Sequence, residues 1–201
     1  MEQTILCLDM ESVLTPEIWI NVAKKTGIKE LELTTKDIAD YDELMNHRLK
    51  ILEKENINLK YIQDVISEMD PFDWVVEFLT WAKERMQVII LSDTFREFAK
   101  PLIEKMNNPT IFCHNLIIDE NWNISGYKLR LNNQKQRAVE KFKELNFKTI
   151  AVWDSFNDTW MLQEAHTWIF FRPSAKTAEL FPHLPIVNNY EELKVMIEEN
   201  L

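Results

Sequence analysis

Apolar residues along this chain follow two alternating rhythms. Unbroken apolar or β-compatible runs at 4–8, 87–91, 110–114, 148–152 and 168–171 have the length and β-branched content of strands buried on both faces. Between them, apolar residues recur every three or four positions, as on helices with one buried face. That spacing predicts helices over 40–55, 59–69, 75–86, 95–106, 134–145 and 191–199, with Pro101 kinking or restarting the fourth, and another helix from Thr159. The stretches 116–119 and 124–129 flank the polar turn Glu120-Asn121-Trp122-Asn123 and read as a hairpin, and a last short strand is expected at 186–188. Strands alternating with helices predict an α/β fold, a doubly wound parallel sheet of Rossmann-like type. The stretch 16–71 is the exception. It gives only helices, one from Pro16 with a break at Thr26-Gly27, so a small helical cap subdomain is expected after the first strand, on a core of 1–15 and 72–201.

Composition narrows the function classes. The 201 residues suffice for one sizeable core with a subdomain. No stretch reaches the ~18 consecutive apolar residues of a membrane span, and no basic, apolar and cleavage-site sequence opens the chain, so a cytoplasmic protein is expected with no membrane partner. A net charge of −10 argues against nucleic acid and would repel an anionic substrate, so a phosphate site must be built locally from a cation and placed donors. Cys7 and Cys113 sit inside apolar runs and read as buried thiols without a disulfide.

The candidate chemistry stands at strand ends. The first strand stops at Asp9 and Glu11, the second at Ser92, and the fourth long run at Asp154 and Asp158, while Lys135 opens a helix between the last two. Parallel strands bring their carboxyl ends to one rim, where open α/β sheets bind ligands. Asp9, Asp154 and Asp158 form a hard-oxygen set suited to Mg²⁺, with Ser92 and Lys135 suited to phosphate oxygens. Taken singly, each residue has a plainer reading. Ser92 would be a helix N-cap, and Lys135, Glu17 and Arg48 would be solvated helix charges. His47, His114, His166 and His183 fall at no recognisable ligand spacing and are read as structural.

Together, four dispersed motifs in order resemble the haloacid-dehalogenase-like phosphotransferase superfamily: Asp9-Met10-Glu11, Leu91-Ser92-Asp93-Thr94, Lys135, and Asp154-Ser155-Phe156-Asn157-Asp158. Within it the chain is most similar to the phosphoserine phosphatases, in particular the branch that is also a homoserine phosphotransferase, through Pro16-Glu17-Ile18-Trp19-Ile20, Leu91-Ser92-Asp93-Thr94-Phe95 and Asn157-Asp158-Thr159. The resemblance implies that Asp9 attacks phosphorus and that Glu11 is the acid and base. It implies Mg²⁺ held by Asp9, Asp154 and the Glu11 carbonyl with Asp158 close by, and a phosphate held by Ser92 and Lys135. Glu17, Arg48 and Asn157 would bind the rest of the substrate, phosphoserine, with homoserine as an alternative acceptor. A homodimer is also implied. Two further readings stay open: a phosphatase of another small phosphomonoester, and a catalytically impaired homologue that binds amino acids or a partner.

One departure is concentrated at particular positions. The chain has two glycines, where ordinary usage predicts about fourteen, and seven tryptophans. Trp74, Trp153 and Trp168 stand where the related branch has glycine, Trp122 lies in a turn that asks for a small residue, and Ser12 also replaces a glycine. Either UGA codons are read as glycine by the host or the chain has diverged. In the second case an indole directly before Asp154 is expected to obstruct the metal-binding loop.

Overall fold

The computed structural model describes residues 3–35, 37–38, 40–155 and 164–201. Among the described residues, seven strands form one sheet in the order β4-β3-β2-β1-β5-β6-β7. They are β1 (Gln3–Leu8), β2 (Gln87–Phe95), β3 (Ile111–Ile118), β4 (Ile124–Lys128), β5 (Phe147–Trp153), β6 (Thr167–Phe171) and β7 (Ile186–Val187). Every neighbouring pair is parallel except β3 and β4, which form the antiparallel hairpin at one edge. The sheet is buried on both faces, which accounts for the unbroken apolar runs. Leu6, Leu8, Ile90, Ile150 and Val152 belong to the larger core cluster, and alternate residues Ile5, Cys7, Ile89, Leu91, Ala151 and Trp153 pack on the other face against Ala138 and Val139. Cys7 and Cys113 are buried and free.

The helices among the described residues are α1 (Ile18–Thr26), α2 (Tyr41–Lys54), α3 (Leu59–Ser67), α4 (Val75–Lys83), α5 (Arg96–Lys105), α6 (Gln134–Glu144), α7 (Ala175–Leu180) and α8 (Tyr190–Glu198), with a 3-10 turn at Lys29–Glu32. Their boundaries follow local chemistry. Gly27 ends α1 at φ 74°, a left-handed conformation that glycine takes without steric cost. Asp40 and Asn58 cap α2 and α3 by accepting the backbone N–H of Glu43 and Tyr61. The C-terminal end of α3 is closed by a cation: Lys105 donates to the carbonyls of Ser67 and Met69 at 2.8 and 2.6 Å and to Asp70 at 2.8 Å. The insert α1–α3 also meets the hairpin edge. Leu59 N–H donates to the Trp122 carbonyl at 2.9 Å, and Tyr127 O–H bonds the Asp42 carboxylate.

Three expectations need correction. α5 is not restarted at Pro101, which lies inside the continuous helix. Proline removes the N–H that would bond the carbonyl of Glu97, and the Gln63 side-chain amide of α3 supplies that donor at 2.9 Å. Gln63→Ala should therefore cost ~1–2 kcal/mol in urea unfolding, because it leaves a helical carbonyl unpaired; an unchanged midpoint would show that water replaces the amide. The strands expected at 110–114 and 116–119 are one strand, β3, whose first part pairs with β2 and whose second pairs with β4. Last, β2 does not stop at Leu91 but runs on to Phe95. Its pairing with β3 shifts register between Leu91 and Phe95, a local irregularity that takes Ser92, Asp93 and Thr94 out of the regular ladder. The expected helix from Thr159 lies outside the described residues.

Candidate active site

The sheet register explains how distant residues meet. Leu8 pairs with both Ile90 and Val152, so continuing each strand by one or two residues brings Asp9, Ser92 and Asp154 to the same rim. Asp9 is fixed from both sides of its backbone. Its N–H donates to the Val152 carbonyl at 3.0 Å, and its Oδ1 accepts the N–H of Met10 at 2.7 Å. The other carboxylate oxygen, Oδ2, accepts from Lys135 Nζ at 2.9 Å, and the same ammonium lies 3.4 Å from Asp93. Lys135 is 7% exposed, so the reading as a solvated helix charge is replaced by a buried ion pair. Burial pushes the Asp9 carboxyl up to about 7; Lys135 works against that rise, and Asp154 adds to it by like-charge repulsion.

Ser92 is buried in β2 and does not cap a helix; the residue before α5 is Phe95, which makes no side-chain cap. Its hydroxyl accepts the N–H of Thr94 at 3.2 Å, which fixes the irregular end of the strand. Gln134, in the first turn of α6, donates to the Ser92 carbonyl at 2.6 Å and holds α6, with Lys135, against this strand end.

A second group of residues lies where the insert meets the rim. Glu11 accepts the N–H of Ile18 at 3.4 Å, at the start of α1, while Glu17 accepts from the Ser12 hydroxyl at 2.8 Å. Ser12 takes φ 63°, the left-handed turn that brings the chain back toward α1. Burial pushes the Glu11 carboxyl well above the ordinary range, and the charge and hydrogen bond of Glu17 add to this. Arg48, expected singly to be a surface charge, is 6% exposed. Its guanidinium lies 4.5 Å from the Trp19 ring centre and donates to the Leu33 carbonyl at 2.7 Å. Desolvation lowers it to about 10, while the charges of Glu11, Tyr41 and Glu17 pull the other way. Its Nε is buried and has no acceptor among the described residues.

Mg²⁺ fits the donors at the rim. Asp9 and Asp154 are close enough to repel, which a dication would relieve, and Mg²⁺ typically needs only one or two carboxylates beside carbonyl, water and substrate oxygens. Among the described residues no group of three or more His, Cys, Asp and Glu has metal-binding geometry. Asp158 and Asn157, expected at the site, lie outside the described residues.

The loop that Trp153 was expected to obstruct lies, beyond Ser155, outside the described residues, and the Trp153 ring centre lies 6.0 Å from Lys135 Nζ. That ring is 1% exposed, turned into the core with the Trp168 ring at 5.4 Å. Sequence reading also missed Asp93, His114, Gln134 and Tyr41. The only sequence signal was the position of Asp93 and Gln134 beside Ser92 and Lys135.

No family model matches the chain. Two curated relatives do. Phosphoserine phosphatase ThrH of Pseudomonas aeruginosa is 49% identical over 190 residues, covering 94% of this chain and 93% of its own. A phosphoserine phosphatase of Pseudomonas syringae pv. tomato is 48% identical over 94% of this chain and 80% of its own. Among solved structures, a phospho-aspartyl intermediate analogue of a phosphoserine phosphatase superposes with a TM-score of 0.78 at 20% identity, covering 98% of this chain and 99% of that one. A substrate-bound phosphoserine phosphatase complex gives 0.79 at 18% identity over 98% and 99% of the two chains, so the fold is shared at both. Near-complete coverage at almost half identity, with a fold shared with solved phosphoserine phosphatases, makes this chain a member of the phosphoserine phosphatase family.

Proposed function

We propose that this protein is a Mg²⁺-dependent phosphoserine phosphatase that works through an aspartyl-phosphate on Asp9. The observation that carries the reading is the adjacency of two unlike sites. Asp9 and Lys135 form a phosphate end, and Glu11, Glu17 and the incompletely bonded Arg48 form an end suited to an ammonium and a carboxylate. Phosphoserine carries all three groups. The curated relatives bear that substrate in their names, in keeping with this assignment.

Asp9, Asp154 and the Glu11 carbonyl would hold Mg²⁺, and Asp158 would complete the acidic set. When bound, the ion supplies positive charge for the phosphoryl oxygens. Lys135 and Ser92 hold the remaining oxygens of the phosphoryl group. Asp9 attacks phosphorus as the bond to the serine oxygen breaks, and Glu11 gives that oxygen its proton. Glu11, now ionised, takes a proton from water as the water oxygen bonds phosphorus and the bond to Asp9 breaks, releasing phosphate. Homoserine replaces water in the same step when its hydroxyl occupies that place, since the groups that read serine also fit an amino acid one methylene longer. Arg48 binds the carboxylate through a planar fork that an ammonium cannot match. Residues 16–71 act as a cap that carries Glu17 and Arg48 over the rim.

The test is phosphate release from phosphoserine with and without Mg²⁺, repeated for Arg48→Ala. A lost charged hydrogen bond of ~1.5–3 kcal/mol should lower kcat/KM for phosphoserine by ~10–100-fold, while an aryl phosphate without a carboxylate loses little. Equal losses on both substrates would place Arg48 outside the specificity pocket, and no Mg²⁺-dependent release would defeat the reading itself.

A further inference from the structure

Asp93 does nothing in the scheme above, yet the site is assembled around it. One of its oxygens accepts from the Gln134 amide at 3.1 Å and lies 3.5 Å from His114 Nε2; the other lies 3.4 Å from Lys135 Nζ. These partners are themselves oriented. The backbone N–H of Arg130 donates to His114 Nδ1 at 3.0 Å, so the imidazole, 3% exposed, must carry its proton on Nε2, the nitrogen facing Asp93. Arg130 Nε donates to the Gln134 carbonyl oxygen at 2.9 Å, which turns the amide N–H groups toward Ser92 and Asp93. From the insert, Tyr41 O–H donates to the Asp93 backbone carbonyl at 3.1 Å. Burial pushes the Asp93 carboxyl up, but Lys135, His114 and Gln134 more than offset it, and the group stays ionised well below the usual range.

We infer that Asp93 is a positioning residue that shares Lys135 with Asp9, opposing the pull of the nucleophile on the ammonium and setting its place for the phosphate. The inference rests on the phosphatase reading, in which Asp9 must present an oxygen to phosphorus. The pull of Asp9 on the ammonium would hold that oxygen back. A second carboxylate, fixed from β3 and α6, gives the ammonium another partner and leaves its place set before substrate arrives. Tyr41 connects the same node to the insert, so the hold on Lys135 and the seating of α2 depend on one residue.

The experiment is a double-mutant cycle on the full chain. Asp93→Asn should lower kcat for phosphoserine by ~10–100-fold, the range that misplacing a reacting group by up to ~1 Å produces, with KM changed less than about threefold. Inorganic phosphate, titrated by calorimetry, should bind more weakly to Asp93→Asn than to the wild type. In a Lys135→Met background, Asp or Asn at position 93 should bind phosphate equally, because the effect passes through the ammonium. Gln134→Met, which removes one support of Asp93 and leaves its charge, should reproduce the pattern in smaller measure and serves if Asp93→Asn does not fold. Unchanged kcat in both variants, or an equal loss of phosphate affinity with and without Lys135, would overturn the inference. A wild type that binds phosphate but does not turn over phosphoserine would defeat the functional reading and leave the binding cycle as the measure of Asp93.

A separate observation concerns the tryptophans. Trp74 at φ 71° and Trp122 at φ 65° hold left-handed conformations and are 72% and 54% exposed, so no packing compensates the backbone strain. Trp153 and Trp168 are buried side by side, and neither indole N–H finds an acceptor among the described residues. In a chain with two glycines, we infer that these four positions are glycine in the protein its own host makes, the UGA codon being read there as glycine. Peptide masses of the protein from that host should match glycine at 74, 122, 153 and 168, and tryptophan masses overturn the inference. Recombinant Trp74→Gly and Trp122→Gly should each raise the thermal midpoint, and a fall in both would count against it.

Discussion

Asp9→Asn is expected to abolish phosphoserine turnover, with a loss of order 10⁴–10⁶ as for other enzymes stripped of their nucleophile, while the protein stays folded. The amide is a poor nucleophile and a poorer cation ligand, but its oxygen still accepts from Lys135, as the carboxylate does at 2.9 Å. The backbone bond from Asp9 N–H to the Val152 carbonyl is untouched. The same variant isolates the electrostatic cost of the site. Without a bound cation, burial pushes the Asp9 carboxyl from its ordinary 3.8 up to about 7 in the folded chain. A raised carboxyl binds its proton more tightly in the folded chain, so its contribution to stability is fullest below 3.8 and is lost as pH rises through about 7. Metal-free wild type should therefore lose stability relative to Asp9→Asn across that window in urea unfolding. A difference that stays flat with pH would show that Lys135 compensates the buried charge in full, and substantial turnover by the variant would remove Asp9 from its role.

The sheet and the strand-end part of the candidate site are legible in the sequence because both depend on local signals. Apolar runs mark strands, and a parallel sheet then brings their ends to one rim, so Asp9, Ser92 and Asp154 were placed without knowing a distance. What failed depends on pairing and burial. Ser92-Asp93-Thr94 has turn composition, yet in the fold Ser92 and Thr94 are buried and the strand runs through them to Phe95. His114 is sixteen residues from Arg130, whose amide it accepts, and further still from Asp93, and only the packing of β3 against β2 and α6 brings it to them. Arg48 looked like any helix charge because the helical pattern of α2 does not say that Trp19 and Leu33 will cover that face. Gln63 illustrates the same limit: Pro101 signals a break in its own helix, and the donor that repairs it comes from another.

Glu11→Gln should lower phosphoserine turnover by ~10²–10⁴-fold, the usual worth of a positioned acid and base, and the loss should depend on the leaving group. A serine alkoxide is a strong base and needs a proton as it departs, whereas an activated aryl phosphate leaves as a stable phenolate. Burial and Glu17 both raise the Glu11 carboxyl, which keeps its proton available at a pH where an exposed glutamate would have lost it. Glutamine keeps the shape and can still accept the N–H of Ile18 with its carbonyl oxygen, a contact of 3.4 Å in the wild type, so the entry to α1 should stay in place. Formation of the aspartyl-phosphate from an aryl phosphate should thus be nearly normal in the variant. Its hydrolysis should be slow, because the base that accepts the proton of water is gone. The signature is a rapid burst of phenolate equal to the enzyme present, followed by a slow steady rate, and the phosphorylated chain should be trapped in the mass spectrum. A variant that hydrolyses aryl phosphate at the wild-type steady rate would show that water is deprotonated elsewhere, and equal slowing of burst and steady phases would point to damage at Asp9 instead of a lost proton carrier.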